Sequence, residues 1–132
     1  MSTSTPAAPL LACLCAAWCR LCDGYGPVFD TAVAVLQRQW PALQARWIDI
    51  EDEADLVGDL DIETFPTLVL LHGGSLRFAG VLTPQPEVLQ RVLAHALAQA
   101  DAGEPAATFG ADFEAFAQRL HRVTSHAAPP AP

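Results

Sequence analysis

Two cysteines separated by two residues are the side chains in this sequence best suited to chemistry. Cys19 and Cys22 follow a short apolar run and precede a segment with helical periodicity. Side chains about one turn apart at a helix start lie close enough to form a disulfide. The free N–H groups and positive dipole end of a helix also stabilise a thiolate there. In a chain with a strand, helix, strand pattern, this spacing predicts a redox-active dithiol.

The two cysteines are expected to have different roles. We expect Cys19, at the helix start, to attack a substrate disulfide as a thiolate, and the more buried Cys22 to resolve the mixed disulfide. The intervening residues are Arg20 and Leu21. We expect the charge of Arg20 to favour the Cys19 thiolate and to make the pair more oxidising. The spacing alone would also fit a zinc site.

Two further cysteines, Cys13 and Cys15, alternate along the apolar run and therefore point to the same side of a strand. The simplest interpretation is that they are small buried apolar side chains. A four-cysteine metal or iron–sulfur centre and a pair of auxiliary redox thiols are the alternatives. Residues 10–13 also look like a bacterial lipoprotein cleavage box, which would lipidate Cys13, although no positively charged segment precedes them. We expect no metal and no cofactor.

The elements that must position these cysteines follow from periodicity and turn signals. Residues 10–15 are apolar throughout, which is typical of a strand buried on both faces. Helical spacing is regular from Pro27 until Pro41 ends it, and Pro27 is expected early in this helix, five residues after Cys22, where it would kink the axis. A second main helix has Thr83 as its N-cap and Pro84 as its first residue. The remaining predicted elements are a strand at 46–50, a short helix at 54–59 and a hairpin at 67–79. This order predicts an α/β fold with a mixed sheet of about four strands and helices on both faces.

A second candidate site motif is Phe65-Pro66-Thr67, at the start of the apolar strand of the hairpin. Proline cannot donate a hydrogen bond to a sheet ladder, so Pro66 predicts a special backbone conformation there. A cis peptide bond is the conformation we expect.

With these motifs in this order, the sequence resembles the thioredoxin family over about residues 10–98. The matching residues are Trp18, Cys19, Cys22, Pro27, Phe65-Pro66-Thr67, Gly73-Gly74 and Gly80. The resemblance implies that Cys19 is the nucleophile, Cys22 the resolving thiol and Pro66 a cis-proline beside the active site. It also implies that Thr67 begins the backbone edge on which an extended substrate lies.

Two departures from the family bear on structure and function. Only nine residues precede Leu10, so we expect the strand and helix that usually precede the family's active-site strand to be missing. By the resemblance, the family's buried aspartate, which helps proton transfer at the resolving thiol, aligns with Cys13. We expect less assisted proton transfer at Cys22. An additional C-terminal helix is predicted from the spacing of Phe109, Phe113, Phe116 and Leu120. We expect this helix to pack on the same domain in place of the lacking unit; a partner or dimer surface is the alternative.

Composition excludes several function classes. The 132 residues include 15 acidic and 7 basic side chains, and all the basic ones are Arg. The lack of Lys and Asn excludes a lysine Schiff base, a P-loop lysine and an N-glycan, and the acidic balance argues against nucleic acid as a partner. Eight of the acidic residues lie in 49–63, which predicts a solvated face or a docking surface for a basic partner. No apolar run is long enough to span a membrane.

The predicted organisation is a disordered tail at 1–9, a thioredoxin-like domain at 10–100, a linker and amphipathic helix at 101–126, and a disordered tail at 127–132. We expect a cytoplasmic, monomeric thiol-disulfide oxidoreductase. Its predicted partners are protein disulfides or dithiols and an upstream reductase. The alternative is a non-enzymatic interaction or redox-sensing module that binds a protein partner.

Overall fold

The structure is a computed structural model, and it describes residues 8–16, 19–58, 60, 62 and 66–126. Within these residues the elements follow the order β1 (Leu10–Cys15), α1 (Arg20–Gln39), β2 (Gln44–Asp49), α2 (Ala54–Val57), β3 (Thr67–His72), β4 (Ser75–Gly80), α3 (Pro86–Asp101) and α4 (Ala111–His126). The four strands form one sheet in the order β2-β1-β3-β4. β1 pairs parallel with β2 and antiparallel with β3, and β3 with β4 is the predicted hairpin. The mixed sheet predicted from the sequence is therefore confirmed.

β1 lies at the centre of the molecule, and all six of its residues are buried. Its odd-numbered side chains, those of Leu11, Cys13 and Cys15, pack with α1 and α3 in one apolar cluster. Its even-numbered side chains pack with α2 and α4 in a second cluster on the other face. Because helices cover both faces, the strand needs apolar residues at every position, as the sequence has them.

The C-terminal helix α4 packs on the sheet face opposite α1 and α3, as predicted. Phe116 and Leu120 are fully buried there with Leu14, Val69 and other residues of the second cluster. α4 thus covers a face of the sheet that α2, with only four residues, leaves largely open. Among the described residues no strand precedes β1, so β2 is an edge strand of the sheet.

The predicted start of α3 is wrong by two residues. The helix begins at Pro86 with Gln85 as its N-cap, whereas Thr83 and Pro84 lie outside the helix. The ring of Pro86 excludes helical backbone at the preceding residue, and Gln85 is accordingly extended, with φ −127° and ψ 118°. Of the two candidate prolines, the second therefore takes the first helical position.

α1 begins at Arg20, directly after Cys19, and Pro27 lies early inside the helix as expected, although the apolar periodicity of the helix starts only at Pro27. The first turns form because Cys22 and Tyr25 pack into the core, which outweighs the poor helix propensity of Gly24 and Gly26. Pro9, assigned to the N-terminal tail, is buried, and its carbonyl accepts a hydrogen bond from the Gln44 N–H at 2.8 Å. The rest of that tail and the tail at 127–132 lie outside the described residues.

Arg119 of α4 joins the C-terminal helix to the short helix α2. Its guanidinium donates hydrogen bonds to the carbonyls of Leu56 at 2.9 Å and Val57 at 2.7 Å. These carbonyls end α2 and have no partner within the helix. We expect Arg119→Met to lower the free energy of unfolding by about 1.5–3 kcal/mol, the usual contribution of hydrogen bonds to a charged group.

Urea denaturation of the purified variant measures this loss. Arg122→Met is the matched control, because it removes the same charge from an exposed position of the same helix, where a loss of at most about 0.5 kcal/mol is expected. Equal losses in the two variants would contradict the role assigned to Arg119.

Candidate functional site

Cys19 stands at the N-terminal end of α1. It is the N-cap residue, with extended backbone at φ −89° and ψ 116°, and its own N–H donates to the Ala16 carbonyl at 2.9 Å. Its side chain makes no capping hydrogen bond, and the residue is half-buried. Cys19 therefore lies at the positive end of a 20-residue helix and is still partly accessible to solvent.

Cys22 lies in the first turn of α1 and is 3% exposed. It is buried in the same apolar cluster as Cys13 and Cys15, with Cys19 packed against that cluster, and its thiol interacts with the thiols of Cys15 and Cys19 and with the backbone of Ala16. Burial is the main cause that raises the pKa of the Cys22 thiol well above its ordinary value, and the hydrogen bond with Cys15 adds to it. The two candidate redox cysteines are thus neighbours at the start of α1, and burial favours the protonated form of the inner one.

The other two cysteines extend this arrangement into the core. The sulfurs of Cys13 and Cys15 lie 3.8 Å apart, and both side chains are buried. The hydrogen bond with Cys13 and burial raise the pKa of the Cys15 thiol well above its ordinary range. The four cysteines therefore form a series within one apolar cluster, in the order Cys13, Cys15, Cys22 and Cys19 from the sheet to the helix start.

The arrangement of the four cysteines helps to decide between the interpretations of Cys13 and Cys15 that the sequence left open. Burial fits the interpretation of Cys13 and Cys15 as small core side chains, but the sulfur contacts go beyond it. Among the described residues, no group of three or more His, Cys, Asp or Glu side chains is arranged to hold a metal ion. Cys13 lies in the middle of β1, and cleavage ahead of it, as in the lipidation alternative, would remove the first half of the central strand.

Tyr25 belongs to the site although the sequence motifs did not single it out. It is 2% exposed, and its hydroxyl donates to the Leu82 carbonyl at 3.0 Å. Burial is the main cause that raises the pKa of this phenol, and the nearby Cys13 and Cys15 add to it. A usable signal was present, because Tyr25 is the only tyrosine and lies one helical turn after Cys22, on the same helix face.

Pro66 and Thr67 lie beside the end of β1 that carries the cysteines. In the antiparallel pairing Leu14 faces Thr67, which places Pro66 next to Cys15 in the register. Both Pro66 and Thr67 are buried. β3 thus begins at the end of the sheet at which β1 ends and α1 begins.

The remaining predicted site residues are either exposed or not described. Arg20 and Leu21 are exposed, and Leu21 is 70% accessible. Leu21 therefore presents an apolar side chain to solvent beside Cys19. Trp18 and Phe65 lie outside the described residues, so their predicted place next to the cysteines stays a prediction.

A mixed sheet with helices on both faces and a Cys-x-x-Cys pair at a helix start defines a thioredoxin-like protein. The family model described as Thioredoxin matches residues 3–94, and the chain therefore belongs to the thioredoxin family. No curated protein matches the sequence.

Solved structures with the same fold come from several organisms. The zinc-bound form of human ERp44 is similar with a TM-score of 0.60 and 21% identity over 68% of this chain; the chain spans only 27% of ERp44. Thioredoxin O2 from Arabidopsis thaliana in the oxidized state has a TM-score of 0.53 and 24% identity, with 67% of this chain and 75% of that one covered. Thioredoxin from Trypanosoma brucei brucei has a TM-score of 0.55 and 16% identity, with 70% and 77% covered. At these identities the likeness establishes the fold.

None of the helices within the described residues combines the length and the apolar character that crossing a bilayer requires.

Proposed function

We propose that this protein is a thiol-disulfide oxidoreductase that exchanges electrons with protein disulfides through Cys19 and Cys22. The observation that carries the proposal is the placement of a half-buried cysteine at the N-cap of α1 and a buried cysteine one turn further along the same helix, with interacting thiols. Membership of the thioredoxin family supports redox chemistry in general. No metal and no cofactor is part of the proposed reaction.

The proposed reaction has two exchange steps. The Cys19 thiolate attacks one sulfur of a substrate disulfide, a bond forms between Cys19 and the substrate, and the other substrate sulfur leaves with the electron pair. The Cys22 thiol then loses its proton and attacks Cys19, which releases the second substrate sulfur and leaves a Cys19–Cys22 disulfide. The substrate disulfide is reduced by two electrons, and an upstream reductase returns the pair to its dithiol form.

Several features support the finer parts of this proposal. Leu21, exposed next to Cys19, offers apolar contact to a protein substrate, and the start of β3 at Thr67 offers a backbone edge beside the cysteines. The burial of Phe116 and Leu120 within the domain supports a monomer, because the apolar stripe of α4 is covered by its own sheet. We propose a cytoplasmic location, since a reducing compartment keeps the starting dithiol reduced.

Insulin reduction with dithiothreitol as the electron source tests the proposal. We expect the wild-type protein to accelerate the reaction well above the uncatalysed rate, and the double variant Cys19→Ser/Cys22→Ser to match a blank without protein. Wild-type turnover equal to that of the double variant would refute the proposed activity.

The second step is expected to depend strongly on pH. Since burial raises the pKa of Cys22, this thiol is almost entirely protonated at neutral pH, and its thiolate fraction grows about tenfold for each pH unit below that pKa. We therefore predict that resolution of a preformed mixed disulfide between Cys19 and thionitrobenzoate speeds up about tenfold per unit across roughly pH 6–9. The absorbance of released thionitrobenzoate measures the rate, and a rate independent of pH would contradict the assignment of Cys22 as the resolving thiol.

A second candidate function follows if Cys22 resolves the mixed disulfide slowly. Cys13 occupies the place where the family has its acidic proton carrier, and Cys22 is held as a buried thiol. A mixed disulfide at Cys19 would then last long enough to hold a protein partner. We propose retention of a partner as the alternative to turnover, and insulin reduction at the background rate would favour it.

A further inference from the structure

The buried thiol of Cys15 has no part in the two-step reaction, yet it lies in the same apolar cluster as the resolving cysteine and interacts with it. Cys15 is the last residue of β1, and its side chain is 2% exposed. Cys15 and Cys22 are buried in one apolar cluster, against which Cys19 packs, and the Cys22 thiol interacts with the thiols of both Cys15 and Cys19. Cys22 therefore has two sulfur neighbours, one at the helix start and one in the core.

Cys13 also contacts Cys15, but a disulfide between these two is excluded by strand geometry. Side chains two residues apart on a strand are parallel, and their Cβ atoms are separated by about two strand rises, roughly 6.6 Å. A disulfide needs Cβ atoms about 3.8 Å apart. Both residues are held in β1 by pairing with β2 and β3. Cys22, on a different element, is thus the partner that remains for Cys15.

We propose that the disulfide formed at the active site can move inward, from Cys19–Cys22 to Cys15–Cys22. This inference rests on the proposed function, because that reaction forms the first disulfide. The Cys15 sulfur, as a thiolate, attacks the Cys22 sulfur; the Cys15–Cys22 bond forms, the Cys19–Cys22 bond breaks, and Cys19 leaves as a thiolate. The proton lost by Cys15 passes to water or to Cys19. One disulfide replaces another, so the step needs neither oxidant nor reductant.

Burial decides both the direction and the speed of this exchange. The product keeps an uncharged disulfide in the core and frees Cys19, which solvent reaches and which lies at the positive end of α1. Before the exchange can start, the Cys15 thiol must lose its proton. The neighbouring Cys13 thiol and burial oppose this ionisation. The inward disulfide is therefore favoured, but it forms slowly at neutral pH and faster as the pH rises.

The consequence is a change in what Cys19 does. With the bond between Cys19 and Cys22, the protein is an oxidised dithiol that accepts electrons. With the bond between Cys15 and Cys22, Cys19 is a single thiol without a resolving partner, and it holds any disulfide partner it attacks. The inward exchange would thus convert a turnover enzyme into one that retains its partner.

Disulfide mapping tests this proposal on the intact protein. Wild-type protein is oxidised with diamide, incubated at a series of pH values, quenched with acid and denatured, and its free thiols are labelled with a maleimide. Cleavage after Arg20 places Cys13, Cys15 and Cys19 on one peptide and Cys22 on another, so fragmentation of the linked peptide identifies the bonded residue. We expect the Cys19 link to decline and the Cys15 link to grow, with a rate that rises about tenfold per pH unit.

Three variants make the result decisive. Cys15→Ala should keep the Cys19–Cys22 link at every pH, and Cys13→Ala should still form the Cys15–Cys22 link because Cys13 is not a bonding partner. Cys19→Ser, oxidised with diamide, should form Cys15–Cys22 directly. A wild-type link that stays at Cys19 throughout, together with free Cys15 and Cys22 in oxidised Cys19→Ser, would overturn the inference. If insulin turnover is normal in that case, only this inference fails; if the Cys15 link forms without turnover, only the proposed activity fails.

Discussion

Cys22→Ser is expected to lower insulin turnover at least about a hundredfold and to leave the substrate covalently bound to Cys19. Serine removes the resolving sulfur but leaves the half-buried Cys19 at the start of α1. The first exchange step therefore proceeds, while the second depends on external dithiothreitol. Because a positioned intramolecular thiol acts at an effective concentration far above that of a reagent in solution, we expect the mixed disulfide to last at least about a hundredfold longer.

Mass spectrometry after an acid quench measures this covalent adduct. Cys19→Ser is the matched control, because it changes one sulfur to oxygen in the same way but removes the nucleophile, and we expect it to give neither turnover nor adduct. The opposite pattern, with the adduct on Cys22 in the Cys19→Ser variant, would mean that the roles of the two cysteines are reversed. Full turnover by Cys22→Ser would remove Cys22 from the mechanism.

Phe116→Ala is expected to cause the largest loss of stability among single substitutions in α4. The Phe116 side chain is fully buried on the sheet face opposite α1, between α4 and the even-numbered side chains of β1. Truncation of a buried phenylalanine costs about 3–5 kcal/mol, through lost transfer free energy and the cavity left behind. Since small domains have total stabilities of only about 5–15 kcal/mol, this loss would remove much of the free energy of unfolding.

Urea denaturation followed by circular dichroism gives the loss directly. Val123→Ala on the same helix is the control, because Val123 is 42% exposed and its truncation should cost at most about 0.5–1 kcal/mol. A loss of that small size for Phe116→Ala would mean that α4 is not needed to cover the sheet. That result would favour the alternative interpretation, in which α4 is a surface for a partner or a second copy.

The parts of the fold that the sequence predicts well are those fixed by burial on two faces. β1 is apolar at all six positions and is the central strand, and the spacing of Phe116 and Leu120 identifies the buried face of α4. The helix starts were predicted less well. Pro86 rather than Pro84 begins α3, and α1 begins before its apolar periodicity does, because tertiary packing of Cys22 and Tyr25 determines its first turns.

In the candidate site, too, some features follow from the sequence and others do not. Sequence spacing predicts that Cys19 and Cys22 lie together at a helix start and that Cys13 and Cys15 share one side of a strand, and the structure has both arrangements. The spacing does not determine that Cys15 reaches Cys22 or that Tyr25 packs below them, because those contacts depend on how closely α1 approaches β1. How deeply a side chain is buried depends on how helices and strands pack together, and residue spacing along one element does not determine that.

Redox titration of the wild-type protein is the most direct measurement of the central claim, that Cys22 forms a reversible disulfide with its neighbouring sulfur. The protein is equilibrated in glutathione buffers of known ratio, quenched with acid and denatured, and its free thiols are counted by alkylation and mass. We predict a single reversible two-electron transition in which two of the four thiols disappear, at a potential of about −270 to −120 mV. The same titration of Cys22→Ser should show no such transition. Four alkylatable thiols in the wild-type protein under the most oxidising buffer would contradict the account.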